Sequence, residues 1–185
     1  MEAAVLPSLD HLSTADFECV YEPAEDTWLL CDALLADAPA LASAAPSLAV
    51  EIGPGSGAVS TYLCNLLASR GAWRPAVIAC DVNVHACRAT LATAAANGAR
   101  AGVEAVECDL LRPLAARAAG AVDVLLFNPP YVPTPDEEVG RGGLAAAWAG
   151  GEDGRVVIDR VLPMLPALLA RPHGVAYMVV VEENR

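Results

Sequence analysis

Short apolar runs alternate along this chain with longer stretches whose apolar positions recur every three or four residues. Leu48–Ile52, Ala76–Cys80, Val103–Glu107, Val122–Phe127 and Val175–Val181 read as buried strands. Trp28, Leu29, Leu30, Ala33, Leu34 and Leu35 mark a helix, with Pro23, Glu25 and Asp26 expected in its first turn, where proline and acids suit the N-terminus. A second helix begins near Ala58 and carries Val59, Tyr62, Leu63, Leu66 and Leu67 on one face. A third runs from about His85 to Ala96 and is stopped by Asn97-Gly98. Val156–Leu169 is helical in pattern, with Pro163 and Pro166 expected to distort its second half. Ala38–Ser47, with two prolines, reads as a linker, and Pro113–Ala118 as a short connecting segment. Residues 132–153 form a long glycine-rich, acidic loop of the length that usually serves function or is disordered. Strand and helix alternate throughout, which predicts an α/β domain with a mostly parallel sheet and helices on both faces. Residues 1–20 show no period and read as a loosely ordered arm, leaving 21–185 as the one domain.

Composition narrows the function. The chain has 185 residues, is 55% hydrophobic and has a mean hydropathy of +0.42, so it can bury a sizeable core. Every basic residue is arginine, and the formal charge is −12. Nucleic-acid affinity rests largely on basic groups facing phosphates, so a nucleic-acid partner is disfavoured and a protein substrate favoured. Six scattered cysteines without a C-x-x-C pair read as reduced structural residues, with no zinc site. The start lacks the pattern of a secretory signal, and no apolar run reaches membrane-spanning length. The cytosol is the expected compartment, with the nucleus also open.

Four features fall at the carboxyl ends of the expected strands, where ligands of such sheets bind. They are Glu51 with Gly53-Pro54-Gly55-Ser56-Gly57, Asp81, Asp109-Leu110, and Asn128-Pro129-Pro130-Tyr131. The glycine loop alone fits a nicotinamide dinucleotide as well as S-adenosyl-L-methionine. Glu51 favours the latter, because a carboxylate beside a pyrophosphate is unfavourable and one beside a sulfonium or ammonium is favourable. The second strand-end corner agrees. Proline removes a donor and stiffens the chain, so Asn128 and Pro129 present acceptor oxygens to a flat amino group, with Tyr131 against its plane. That arrangement suits methyl transfer to nitrogen.

Val50–Gly57 with Asp81, Asp109 and Asn128–Tyr131 resembles a class I S-adenosylmethionine-dependent methyltransferase of Rossmann-like fold, most closely the HemK family. Tyr21-Glu22-Pro23-Ala24-Glu25-Asp26-Thr27 and the segment from Glu138 to Gly151 narrow the resemblance to its eukaryotic branch, over about Tyr21 to Asn184. The resemblance implies methylation of the glutamine side-chain amide in the GGQ motif of a peptide-chain release factor, with other protein nitrogens such as lysine also open. It implies that Thr27, Glu51 and Gly53 line the methionine end of the cofactor, with Gly55 and Gly57 also in the cofactor-binding loop, that Asp81 takes the ribose, and that Asp109 with Leu110 takes the adenine. Asn128, Pro129, Pro130 and Tyr131 would hold the acceptor amide, Asn128 also bordering the cofactor. It further implies a small zinc-containing activator subunit seated along Val103–Val106. Family members normally continue past the fifth strand with a helix and an antiparallel strand pair, so a shortened sheet with an open, apolar fifth strand is expected here. The rival readings are an amino-group methylase for nucleic acid or a small molecule, and a shortened, non-catalytic cofactor-binding protein.

Overall fold

The computed structural model describes residues 5–140 and 143–184; parts of the expected arm (1–4) and of the expected long loop (141 and 142), with residue 185, lie outside them. Five parallel strands form one sheet: β1 (Leu48–Ile52), β2 (Ala76–Asp81), β3 (Val103–Glu107), β4 (Val124–Phe127) and β5 (Val175–Met178). Their order is β3-β2-β1-β4-β5, so the chain reverses its direction of growth between β1 and β4. Glu51 stands in register with Leu126, and Ile52 with Phe127.

The helices are α1 (Thr14–Phe17), α2 (Glu25–Ala36), α3 (Ala38–Ala44), α4 (Ala58–Ser69), α5 (Val84–Ala96), α6 (Ala115–Ala118), α7 (Ile158–Val161) and α8 (Leu165–Leu168). Side chains of a strand alternate between its faces. Ala49, Val77, Val103, Val124 and Leu126 therefore pack with Leu30, Leu34, Leu63, Leu66, Leu67 and Ala94 of α2, α4 and α5 on one side. Val50, Ile52, Cys80, Leu125 and Phe127 pack with Leu111, Ala118, Val161 and Leu168 on the other. Both faces are covered, which is why the central strands read as continuous apolar runs.

Several sequence expectations shift. The expected linker at Ala38–Ser47 is mostly helix α3, with Ala38 and Leu41 buried. Pro39 stands in its first turn, where no N–H is needed, and Ala45 ends it at φ 50°. Pro23 precedes α2 rather than joining its first turn. The fourth and fifth strands are shorter than their apolar runs: Val122 makes only a bridge to Leu169, and β5 ends at Met178. The Val156–Leu169 stretch breaks into α7, a 3-10 turn at Leu162–Met164, and α8, as its prolines require. β5 is an edge strand with Val175 exposed.

Residues 5–20, expected as an arm, run against α5. The Ser8 N–H donates to Asn97 Oδ1 at 2.8 Å, and Asn97 Nδ2 returns a bond to the Ser8 carbonyl at 2.9 Å. Asn83, which caps α5 by accepting from the His85 N–H, donates its Nδ2 to the Cys19 carbonyl at 2.7 Å. These bonds deliver Cys19 to Tyr21 to the rim of the strand ends. The long loop is also held. Val132 donates to the Trp148 carbonyl and accepts from the Gly150 N–H. Near the end of the chain, the buried Asn184 donates Nδ2 to the carbonyls of Tyr131 and Asp153, at 3.0 Å each.

Gly57 shows what one position of the glycine loop is for. It caps α4 at φ 79°, and a Cβ there would meet Thr90 Cα of α5 at 2.5 Å. Gly57→Ala combines backbone strain with a backbone collision and is expected to cost about 2 kcal/mol or more, lowering Tm by roughly 4–8 °C. Thermal unfolding followed by circular dichroism checks this; an unchanged Tm would show that α4 and α5 separate freely.

Candidate active site

The carboxyl ends of β1 to β4 open onto one cavity of about 610 Å³, within the range of small-molecule sites. Of the residues singled out in the sequence, Thr27, Glu51, Gly53, Gly55, Asp81, Asp109, Leu110, Asn128 and Pro130 line it. Gly57, Pro129 and Tyr131 do not. Gly57 faces α5, Pro129 is buried in the corner behind Asn128, and Tyr131 packs against the α2–α4 side of the core.

The cavity wall is acidic. Glu51, Asp81, Glu107 and Asp109 all border it, with Arg160 as its basic residue among the described residues. Glu51 is buried at the end of β1 and accepts a hydrogen bond from Ser60 of α4. Burial pushes its carboxyl up to about 7, against the pull of the Ser60 bonds, and the charge of Asp81 adds to the rise. Asp81 accepts from the Asn83 N–H at 2.9 Å and from the Gly55 N–H at 3.4 Å. Desolvation raises its pKa despite those bonds. The Gly55 bond clips the glycine loop to the end of β2. Asp109 is engaged by Arg160 Nη2 at 2.6 Å, a contact across 51 residues that no local pattern announces. Leu110 adopts φ 52°, unusual for a bulky residue, and such backbone strain clusters at ligand sites.

At the end of β4, Asn128 donates Nδ2 to Asp26 Oδ2 of α2 at 2.9 Å. Its Oδ1 is buried and has no hydrogen-bond partner among the described residues. A buried acceptor without a partner costs about 1–3 kcal/mol, so a native protein keeps one where a ligand supplies the donor. The sequence marks Asp26 only as part of the Tyr21–Thr27 motif and as an acid suited to a helix N-terminus; its bond to Asn128 exists only in the fold. Tyr21, Ser60, Arg160 and Asn184 likewise have no assigned role in the sequence, because each acts through a contact that forms only in the fold.

The six cysteines are free thiols. Burial pushes Cys31 and Cys80 up to about 12, and Cys64 and Cys87 up to about 11, which suits packing rather than nucleophilic chemistry. Among the described residues, no group of three His, Cys, Asp or Glu could hold a metal ion, and no helix is long and apolar enough to cross a membrane.

No protein-family model matches the chain. It is 47% identical to methyltransferase HEMK2 of Mus musculus, over 96% of this chain and 79% of that protein. It belongs to the HEMK2 family of methyltransferases. The eRF1 methyltransferase catalytic subunit mtq2 of Schizosaccharomyces pombe is 38% identical, over 97% of this chain and 80% of that protein. Among solved structures, the ribosomal protein L11 methylase of Lactobacillus delbrueckii subsp. bulgaricus shares the fold, with a TM-score of 0.54 at 17% identity, covering 86% of this chain and 62% of that one. The fold is that of the class I methyltransferases, and the methyl donor of this HEMK2-family chain is S-adenosyl-L-methionine.

The residues present fit that cofactor. Four carboxylates around one cavity suit a ligand carrying sulfonium and ammonium charges and repel a pyrophosphate. Glu51 gives this a measurable sign. Its folded pKa lies above its ordinary value of 4.5, so the folded chain binds that proton more tightly than the unfolded chain does. Its contribution to stability is therefore fullest below about 4.5 and is lost as pH rises towards about 7. A cation bound beside it reverses the preference. Cofactor affinity should rise with pH by up to about tenfold per unit as Glu51 ionises, then level off above about 7. Glu51→Gln should weaken binding and flatten that profile. Calorimetric titrations at several pH values check both; a wild-type affinity independent of pH would contradict the assignment.

Proposed function

We propose that this chain transfers the methyl group of S-adenosyl-L-methionine to the side-chain amide nitrogen of the GGQ glutamine in a peptide-chain release factor. The observation that carries the reading is the buried, unpartnered Asn128 Oδ1 beside an acidic, cofactor-sized cavity. The fission yeast relative, named as a catalytic subunit of an eRF1 methyltransferase, supports the choice of protein substrate.

The cofactor supplies an electrophilic methyl group, and the protein's share is positioning and electrostatics. An amide nitrogen is a poor nucleophile because its lone pair is delocalised into the carbonyl. Asn128 Oδ1 accepts one of its hydrogens, which raises electron density at nitrogen and fixes its direction, while the buried Pro129 stiffens the corner behind it. Tyr131 braces the corner from behind, through its hydroxyl on Asp26. Glu51 and Thr27 hold the methionine end, with Gly53 and Gly55 allowing close backbone approach. Asp81 takes the ribose hydroxyls, and Asp109 with Leu110 the adenine, Arg160 steadying the Asp109 carboxylate.

The same pocket could receive another side-chain nitrogen such as lysine, whereas the −12 charge and the acidic cavity wall disfavour a nucleic-acid acceptor. We place the small zinc-containing activator along β3. Two features support this: β3 is the other edge strand of the sheet, and Ala105 and Val106 on it are only partly covered.

Incubation with labelled cofactor, release factor, a release factor lacking the GGQ glutamine, and DNA, with and without the activator, tests the reading. Label is expected on the first acceptor alone; label on DNA but never on protein would overturn it. Asn128→Ala should lower kcat roughly 10²-fold or more while the cofactor dissociation constant stays within a few-fold.

A further inference from the structure

The corner at the end of β4 converges on a carboxylate that does not touch the cavity. Asp26, in the first turn of α2, accepts from Asn128 Nδ2 at 2.9 Å and from the Tyr131 hydroxyl at 3.3 Å, both through Oδ2. Its Oδ1 accepts from the Tyr21 hydroxyl at 3.3 Å and from the Thr27 N–H at 2.8 Å. Donors from the N-terminal segment, from α2 itself and from the Asn128–Tyr131 corner thus meet on one side chain. Burial and the neighbouring Asp26 charge push the Tyr21 phenol up to about 12, and Tyr131 is raised for the same reasons, so both hydroxyls stay donors.

The consequence lies in the symmetry of an amide side chain. Asn presents a donor at one end and an acceptor at the other, and the two ends have nearly the same shape. Turned one way, Asn128 offers an acceptor to the amide hydrogens of a substrate; turned the other way, it offers N–H against N–H. An ionised carboxylate only accepts, so a carboxylate behind Asn128 admits one orientation. We infer that Asp26 is a positioning residue for methyl transfer: it anchors the Asn128 amino group and thereby keeps Oδ1 turned to the acceptor nitrogen. This rests on the reading of Asn128 as the holder of the acceptor amide. It also accounts for the unpartnered Oδ1, since the carboxylate holds the amino end and leaves the oxygen on the side where the described residues supply no donor.

The bland alternative is that Asp26 merely favours the N-terminus of α2. Asp26→Asn separates the two, because it keeps the shape and lets Asn128 turn over. In the full chain, Asp26→Asn should lower kcat roughly 10²-fold, with the cofactor dissociation constant and the melting temperature little changed. In an Asn128→Ala background the same substitution should cost nothing further, since Asp26 acts through Asn128. The Asn128 side-chain amide signals, assigned by their loss in Asn128→Ala, should shift in Asp26→Asn spectra. A wild-type kcat in Asp26→Asn, additive losses in the double variant, or unmoved Asn128 signals would each overturn the inference. If the wild-type chain methylates no glutamine amide, the functional reading fails by itself, and the Asn128 signals alone decide whether Asp26 orients that side chain.

Discussion

Parallel pairing of β1 with β4 sets Ile52 beside Phe127, and the glycine loop and the Asn128 corner take their relative positions from that register. Because the two strands are neighbours in space but far apart in sequence, the glycine loop leaving β1 and the Asn-Pro-Pro-Tyr corner leaving β4 open onto the same crevice. This is the reversal point at which open α/β sheets bind ligands. The same pairing places the buried Glu51 one residue from the rim, where burial makes its charge costly. A slip of one residue would turn Glu51 to the other face of the sheet and remove the acid from the cavity.

Around that pair the remaining elements act as clamps. α2 presses Asp26 against Asn128, α4 brings Ser60 to Glu51, and the bonds from Ser8 and Asn83 bring Tyr21 over the corner. Asn184 holds the Tyr131 carbonyl from the far end of the chain. The site is thus built on strand ends and fastened by side chains from four segments: α2, α4, the two ends of α5, and Asn184.

Much of this was legible in the sequence, for physical reasons. Strands buried on both faces leave unbroken apolar runs, and a glycine loop followed by spaced acids marks the strand ends. Asn128 before two prolines reads as a stiff corner at a strand end, and the structure sets it on the cavity wall. The misses are equally physical. Helix α3 hides because its alanines carry no amphipathic pattern and its proline reads as a breaker until it falls in the first turn. Gly57 was grouped with the cofactor glycines, yet its near neighbour is Thr90 of a different helix. Asp26 reads from the sequence only as a helix N-terminal acid within a motif because its partner lies 102 residues away, and only the packing of α2 over β4 reveals it.

The central claim is that Asn128 Oδ1 receives the acceptor amide while its amino group stays on Asp26. The most direct measurement is a high-resolution structure of the chain with S-adenosylhomocysteine and a glutamine-containing release-factor peptide. The account predicts the glutamine nitrogen about 3 Å from Asn128 Oδ1, with Asp26 still bonded to Nδ2. A glutamine bound away from Asn128, or an Asn128 amide turned so that Nδ2 faces the cavity, would contradict it.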